Sequence, residues 1–280
     1  MDEALADLAR LGYDAKVLAG GQSLIPAMNF RLAQPAALVD LNRIDELFYI
    51  RPADGGGLAI GAMTRDSDVE HDPLVAERAP LLHAVMPHVA HPQIRSRGTF
   101  GGSIAHADPA AEIPAVTVAL GARYLVRSSA RERWIAAEDF YAGPFATQLE
   151  PDELLIEIAL PPLPPRSGWS FHEMARQHGA FALAGAVAVV TLDEQGRCGR
   201  ARLVFLNCGD KPQMAQHAAA LLAGQPPTLD AIRAVAEAAA SDVDPSGDIH
   251  ATADYRRHLA LVLARRALAD AFERALRGGG

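Results

Sequence analysis

The chain has 280 residues, half of them hydrophobic, enough to bury one large core or two smaller ones, and two domains are expected. Its formal net charge of -8, from 34 acidic against 26 basic residues, argues against a nucleic-acid surface, which needs a basic face. The two cysteines, Cys198 and Cys208, cannot supply the four thiolates of an iron–sulfur or zinc tetrathiolate site and form no disulfide framework, so a cytoplasmic location is expected.

No apolar run reaches the roughly 20 residues of a membrane span, and Met1-Asp2-Glu3 lacks the basic start of a signal peptide. Leu5, Leu8 and Leu11 at helical spacing predict a helix over residues 3–11, stopped by Gly12 and followed by a strand over 15–19. The first glycine pair, in Ala19-Gly20-Gly21-Gln22-Ser23-Leu24, therefore follows a strand. After it come a short helix or irregular apolar segment over 24–32, a strand over 37–41, a hairpin over 47–63 around Asp54-Gly55-Gly56-Gly57, and a mostly helical stretch over 64–90.

The second pair, in Thr99-Phe100-Gly101-Gly102-Ser103-Ile104, reads as a loop ahead of a helix over 109–120, where free N–H groups and the helix dipole favour an anion. Strands follow over 122–127 and 153–160, and the run Pro161-Pro162-Leu163-Pro164-Pro165 marks a domain boundary. Beyond it, strands over 168–175, 182–192 and 201–207, with a turn at Asp193-Glu194-Gln195-Gly196, precede helical segments. The last helix, over 252–276, is amphipathic, with Leu259, Val262, Leu263, Ala267 and Leu268 on its apolar side. Disorder is expected only in the tail from Arg277 to Gly280.

A glycine pair lacks the Cβ atoms that keep backbone away from a ligand, so successive N–H groups can turn toward an anion, with Ser23, Thr99 and Ser103 adding hydroxyls. Neither turn matches G-x-G-x-x-G or G-x-x-x-x-G-K-[ST], which disfavours a Rossmann site and a P-loop. Ser23 and Ser103 sit outside a G-x-S-x-G context, which disfavours a hydrolase. His83, His88, His91 and His106 match no metal-helix spacing, and Pro87 and Pro92 interrupt them, so they are expected on loops or the surface.

Three segments carry a family resemblance: Leu18-Ala19-Gly20-Gly21-Gln22-Ser23-Leu24-Ile25-Pro26, the long run from Arg97 through Asp108 and Glu112 to Pro114, and the run from Asp248 to Leu259. Together they resemble the FAD-binding medium subunit of the xanthine dehydrogenase and carbon monoxide dehydrogenase family of molybdenum hydroxylases, over nearly the whole chain. The resemblance implies an α+β fold: an FAD-binding part of vanillyl-alcohol-oxidase (PCMH) type over 1–163, in subdomains of roughly 1–45 and 46–163, and a C-terminal domain over 164–280 with a small antiparallel sheet and helices. It also implies an initial strand ahead of the first helix, which this sequence does not contain.

By carry-over, Leu18, Ala19, Gly20, Gly21, Gln22, Ser23, Leu24 and Ile25 hold the FAD pyrophosphate together with Thr99, Phe100, Gly101, Gly102 and Ser103, through backbone amides and hydroxyls. Glu112 matches a carboxylate that binds ribityl or sugar hydroxyls, with Asp108 four residues before it, although both also suit a helix N-terminus. Leu154 or Leu155 matches an apolar flavin neighbour, and a core strand residue is an equal reading. The segment from Phe171 to Ala182 matches one that passes over the isoalloxazine ring, which puts His172 near it and lets Phe181 shield it. Where the family often reads Arg-Arg-His-Gly-Asp, this chain has Arg176-Gln177-His178-Gly179-Ala180, a change of two charges that would tune the flavin. The Asp248 run carries no evident chemistry.

The resemblance further implies non-covalent FAD, a large partner with the molybdenum cofactor, a small partner with 2Fe-2S clusters, a dimer of heterotrimers, and NAD, oxygen or a quinone-like compound as electron acceptor. A stand-alone flavin oxidoreductase and a docking subunit without FAD are the alternatives. No side chain is assigned acid–base catalysis.

Overall fold

In the computed structural model, which describes residues 1–278, Leu5 and Leu8 are buried along one side of α1 (Asp2–Leu11). Gly12, at φ 55°, ends the helix by donating its N–H to the Leu8 carbonyl. β1 (Ala15–Leu18) and β2 (Ala37–Asp40) pair in parallel, with α2 (Leu24–Asn29) in their connection, so the chain leaves both strands at the same edge. β3 (Ile50–Pro52) and β4 (Leu58–Gly61) form a hairpin. The stretch after it is broken by prolines into α3 (Asp66–His71), α4 (Pro73–Arg78), α5 (Pro80–Val85) and α6 (Pro92–Arg95), the last three with proline in the first turn.

The second glycine pair departs from expectation. Gly101 and Gly102 lie inside the first turn of a helix, α7 (Phe100–His106), and not in a loop. Thr99 caps it by accepting the Gly102 N–H, while Phe100 N–H donates to the Thr64 carbonyl and Gly101 N–H to the Ala62 carbonyl, which fixes the turn against the segment after β4. The next helix, α8 (Glu112–Leu120), starts three residues later than expected, so Asp108 precedes it and accepts the Ala110 N–H in a local turn.

The chain then forms β5 (Arg123–Arg127), β6 (Glu132–Ala136), α9 (Ala137–Phe140), β7 (Tyr141–Gly143), β8 (Ala146–Thr147) and β9 (Leu154–Leu160). β6 escapes a hydropathy reading because it is an edge strand with Glu132 and Trp134 exposed. One antiparallel sheet has the order β3-β4-β9-β5-β6, and a separate core joins Leu5 and Leu8 of α1 to Val39, Leu41, Leu47, Met63 and Leu154. These elements make up one of two units, Met1–Ala107 with Gly121–Pro162; α8 belongs to the other.

The second unit is built on β10 (Ser167–Ala175), β11 (Ala182–Leu192) and β12 (Cys198–Leu206), antiparallel in that order, with β13 (Gln213–Met214) at the edge. β11 is a continuous apolar run because both its faces are covered. Ala184, Ala186, Ala188 and Val190 pack in one core with α11 (Leu229–Ser241) and α12 (Ala253–Arg277) after the short α10 (Gln216–Ala220). On the opposite face, Arg202, paired with Val189, donates to the Val118 carbonyl of α8. Arg277, expected in the disordered tail, ends α12 and pairs with Glu273; Gly279 and Gly280 lie outside the described residues.

The Asp248 run has a structural role. Asp248 accepts the N–H groups of His250 and Ala251 and ion-pairs at 2.5 Å with Arg256, a side chain buried in α12 whose Nε finds no acceptor among the described residues. Replacing Asp248 by Ala would strand a buried cation, so urea unfolding followed by Trp169 fluorescence should show a loss of about 2 kcal/mol. Adding Arg256→Met to that variant should restore part of the loss.

Candidate functional site

The two glycine turns, about eighty residues apart in sequence, touch. A Cβ on Gly20 would lie 2.3 Å from the Arg97 carbonyl oxygen and 2.9 Å from the Gly98 Cα, and one on Gly102 would lie 3.4 Å from the Ala19 Cβ. Close approach of this kind admits only glycine at position 20. The approach is held by polar side chains that local sequence patterns do not single out. Asn42 Nδ2 donates to the Ala19 carbonyl at 2.8 Å, and its Oδ1 accepts from Arg65 Nη2 at 2.8 Å. Arg65 Nη1 in turn donates to the Arg97 carbonyl at 2.6 Å, and its guanidinium lies 5.4 Å from the Phe48 ring centroid. A usable signal was present: Asn42 follows β2 as Gly20 follows β1, and parallel strands deliver the residues after them to one edge.

The two turns are unequal as anion sites. In the second, the N–H groups of Phe100, Gly101, Gly102 and Ser103 are spent on Thr64, Ala62 and Thr99. In the first, among the described residues, the N–H groups of Gly20, Gly21, Gln22, Ser23 and Leu24 meet no acceptor. Gly21, at φ 75°, turns the chain there, and Gln22 Nε2 closes the loop onto the Gly20 carbonyl at 3.2 Å. Five successive donors with the Ser23 hydroxyl, and Ser103 half-buried on α7, form a set suited to an anion such as a diphosphate.

Beneath this junction lies Asp66, at the start of α3. Its N–H donates to the Gly98 carbonyl, its Oδ1 is buried with no hydrogen-bond partner among the described residues, and burial pushes its carboxyl up to about 7 against the pull of Arg95 and Arg65. Arg95, itself buried, is gripped by both Glu70 oxygens at 2.7 and 2.9 Å and donates to the Val89 and Ala90 carbonyls, which fixes the segment leading to Gly98.

The other expected site residues are dispersed. Leu18 closes β1, and Ile25 is 40% exposed on α2, which buries none of its residues. Leu154 and Leu155 are both buried in β9, Leu154 in the core beside α1. In the second unit, Glu112 is buried at the start of α8. His172 lies on the other face of that unit's sheet, opposite Ala186, with Nε2 at 2.7 Å from Asp270 of α12. Phe181, just before β11, is 73% exposed, and Arg176 donates to His250 Nδ1 at 3.1 Å. Both cysteines are buried, which raises their thiols to about 11 and about 12. No described helix is long and apolar enough to cross a membrane.

Two family models match. Residues 1–163 match the FAD binding domain in molybdopterin dehydrogenase, and residues 169–271 match the CO dehydrogenase flavoprotein C-terminal domain. The chain is 42% identical over 275 residues to the 6-hydroxypseudooxynicotine dehydrogenase complex subunit alpha of Paenarthrobacter nicotinovorans, covering 98% of this chain and 93% of that one. It is 38% identical to the carbon monoxide dehydrogenase medium chain of Hydrogenophaga pseudoflava, covering 97% and 94%. The solved structure of a carbon monoxide dehydrogenase from Hydrogenophaga pseudoflava, which lacks the Mo-pyranopterin moiety of its cofactor, superposes with a TM-score of 0.94 over 98% of this chain and 94% of that one, at 38% identity.

Asp66 makes stability depend on pH. Its carboxyl is neutral in the folded chain up to about 7 but ionises near 3.8 when unfolded, so its own contribution to stability is full below 3.8 and is lost as pH rises from there through about 7. Measured against Asp66→Asn at each pH, the urea midpoint of the unsubstituted protein should fall as pH rises across that window; a constant difference would count against it.

Proposed function

Because the chain belongs to the FAD-binding medium subunits of the molybdenum hydroxylases, a family of oxidoreductases, we propose that it is the electron-delivering member of a three-subunit complex. A large partner with the molybdenum cofactor oxidises the substrate, and a small partner with 2Fe-2S clusters passes electrons on. This chain would hold the FAD through which those electrons would reach NAD, oxygen or a quinone-like acceptor. The names of the relatives, a dehydrogenase complex subunit and a medium chain, support a complex, here taken as a cytoplasmic dimer of heterotrimers. The FAD-binding part is read as the PCMH type.

One observation carries the reading: five successive N–H groups, Gly20 to Leu24, stand without acceptors among the described residues where the two glycine turns cross. A diphosphate seated there satisfies donors that the fold leaves unmet. When bound, FAD supplies the redox chemistry, taking electrons singly and releasing them in pairs. The chain's own residues bind and orient. Gly20 to Leu24 grip the diphosphate non-covalently, with Ser23 and Ser103 as hydroxyl donors. Phe100, Gly101 and Gly102 act by shape, since their N–H groups are already engaged, while the Thr99 hydroxyl, which accepts from Gly102, keeps its own proton to donate. By the family resemblance, Glu112, with Asp108 ahead of it, takes ribityl or sugar hydroxyls, while His172 and Phe181 belong to the segment that covers the flavin, with Leu154 or Leu155 as apolar neighbour. The uncharged Gln177 and Ala180 leave less charge there to tune the flavin.

The test is purification with both partners. A yellow complex containing molybdenum and iron, whose flavin band bleaches anaerobically with the partner's substrate only when the iron–sulfur subunit is present, is expected. Bleaching of the isolated chain by a small substrate would instead make it a stand-alone oxidoreductase, and a colourless chain that takes up no added FAD would make it a docking subunit. Gly21→Val should cut bound FAD by about tenfold or more, since φ 75° is closed to a β-branched residue.

A further inference from the structure

We propose that Asn42 and Arg65 are positioning residues for the dinucleotide: they hold two carbonyls of the crossing turns and thereby aim the N–H groups of the first turn at the diphosphate. The inference rests on the FAD reading above. In a planar trans peptide the C=O of one residue and the N–H of the next point in opposite directions. Asn42 Nδ2 holds the Ala19 carbonyl, which turns the Gly20 N–H the other way. Gln22 Nε2 does the same for the Gly20 carbonyl and the Gly21 N–H, and the Ile25 N–H, by holding the Gly21 carbonyl, does it for the Gln22 N–H. Three successive donors are aimed by three held carbonyls.

The amide of Asn42 can sit only one way round. Its Nδ2 lies 2.6 Å from Asp40 Oδ1 and its Oδ1 2.8 Å from the Arg65 guanidinium, so a carboxylate and a cation each select the amide end they need. The other terminal nitrogen of Arg65 holds the Arg97 carbonyl, the atom on which Gly20 rests. The fork of one guanidinium thus ties the two turns together, and a lysine, with a single point charge, cannot span both acceptors in fixed geometry. Neither side chain needs to touch the cofactor.

The experiment uses the assembled complex stripped of flavin, with FAD added back and its dissociation constant read from the quenching of flavin fluorescence. Asn42→Leu and Arg65→Met should each weaken FAD about tenfold, the worth of one held carbonyl. The double variant should weaken it by less than the product of the two, because they share one network. Arg65→Lys should behave like Arg65→Met, and the phosphorus resonances of bound FAD should shift in every variant that still binds. Asn42→Ser provides a milder arm if the leucine variant does not assemble. Wild-type affinity with unshifted phosphorus resonances in the Asn42 variants, full rescue by Arg65→Lys, or multiplicative effects in the double variant would overturn the proposal. If the unsubstituted stripped complex takes up no FAD, the FAD reading fails first and this inference falls with it.

Discussion

The first unit depends on one close contact, the seat of Gly20 on the Arg97 carbonyl. A Cβ at position 20 would sit 2.3 Å from that oxygen, inside any tolerable van der Waals distance, so the two turns meet only because one of them has no side chain there. Everything else at the site follows from keeping that oxygen in place. Arg65 holds it from one side, the Glu70–Arg95 pair fixes the segment before it, and the Asp66 N–H takes the next carbonyl along. A buried carboxyl with an oxygen left unmet among the described residues is an expensive neighbour for such a junction, and it is retained within reach of two arginines.

The division of labour between the turns follows from where their donors go. The second turn spends its amides on Ala62, Thr64 and Thr99, which makes it a rigid wall. The first keeps its amides free, because α2 begins only at Leu24 and the residues before it have no helix or ladder to bond to. Similar residue pairs thus do different work: both admit close packing, Gly20 on Arg97 and Gly101 on Ala62, but only the first also exposes backbone donors.

Much of the fold was legible in the sequence, because α1, α12 and the three long strands of the second unit advertise themselves by period and by bounding turns. The nature of the second turn was not. Phe100-Gly101-Gly102 reads as a loop on local propensity, and becomes helical because Thr64 and Ala62 accept its first donors, partners about forty residues away. The glycine motifs were legible as anion binders, but Asn42 and Arg65 were not, since each acts through carbonyls far away in sequence. Only the parallel pairing of β1 and β2 reveals why an asparagine after one strand matters to glycines after the other.

The path of the chain also has a consequence for how it is made. Asp108–Leu120 belongs to the second unit, yet it leaves the ribosome long before β11 and β12, the strands it covers. All nine residues of α8 end up buried, so during synthesis a largely apolar helix must wait for about seventy residues to appear before it has a surface to cover. A fragment cut at the proline run would inherit the same problem permanently: the upstream piece would carry α8 with nothing to pack on, and the downstream piece would fold its sheet with one face bare.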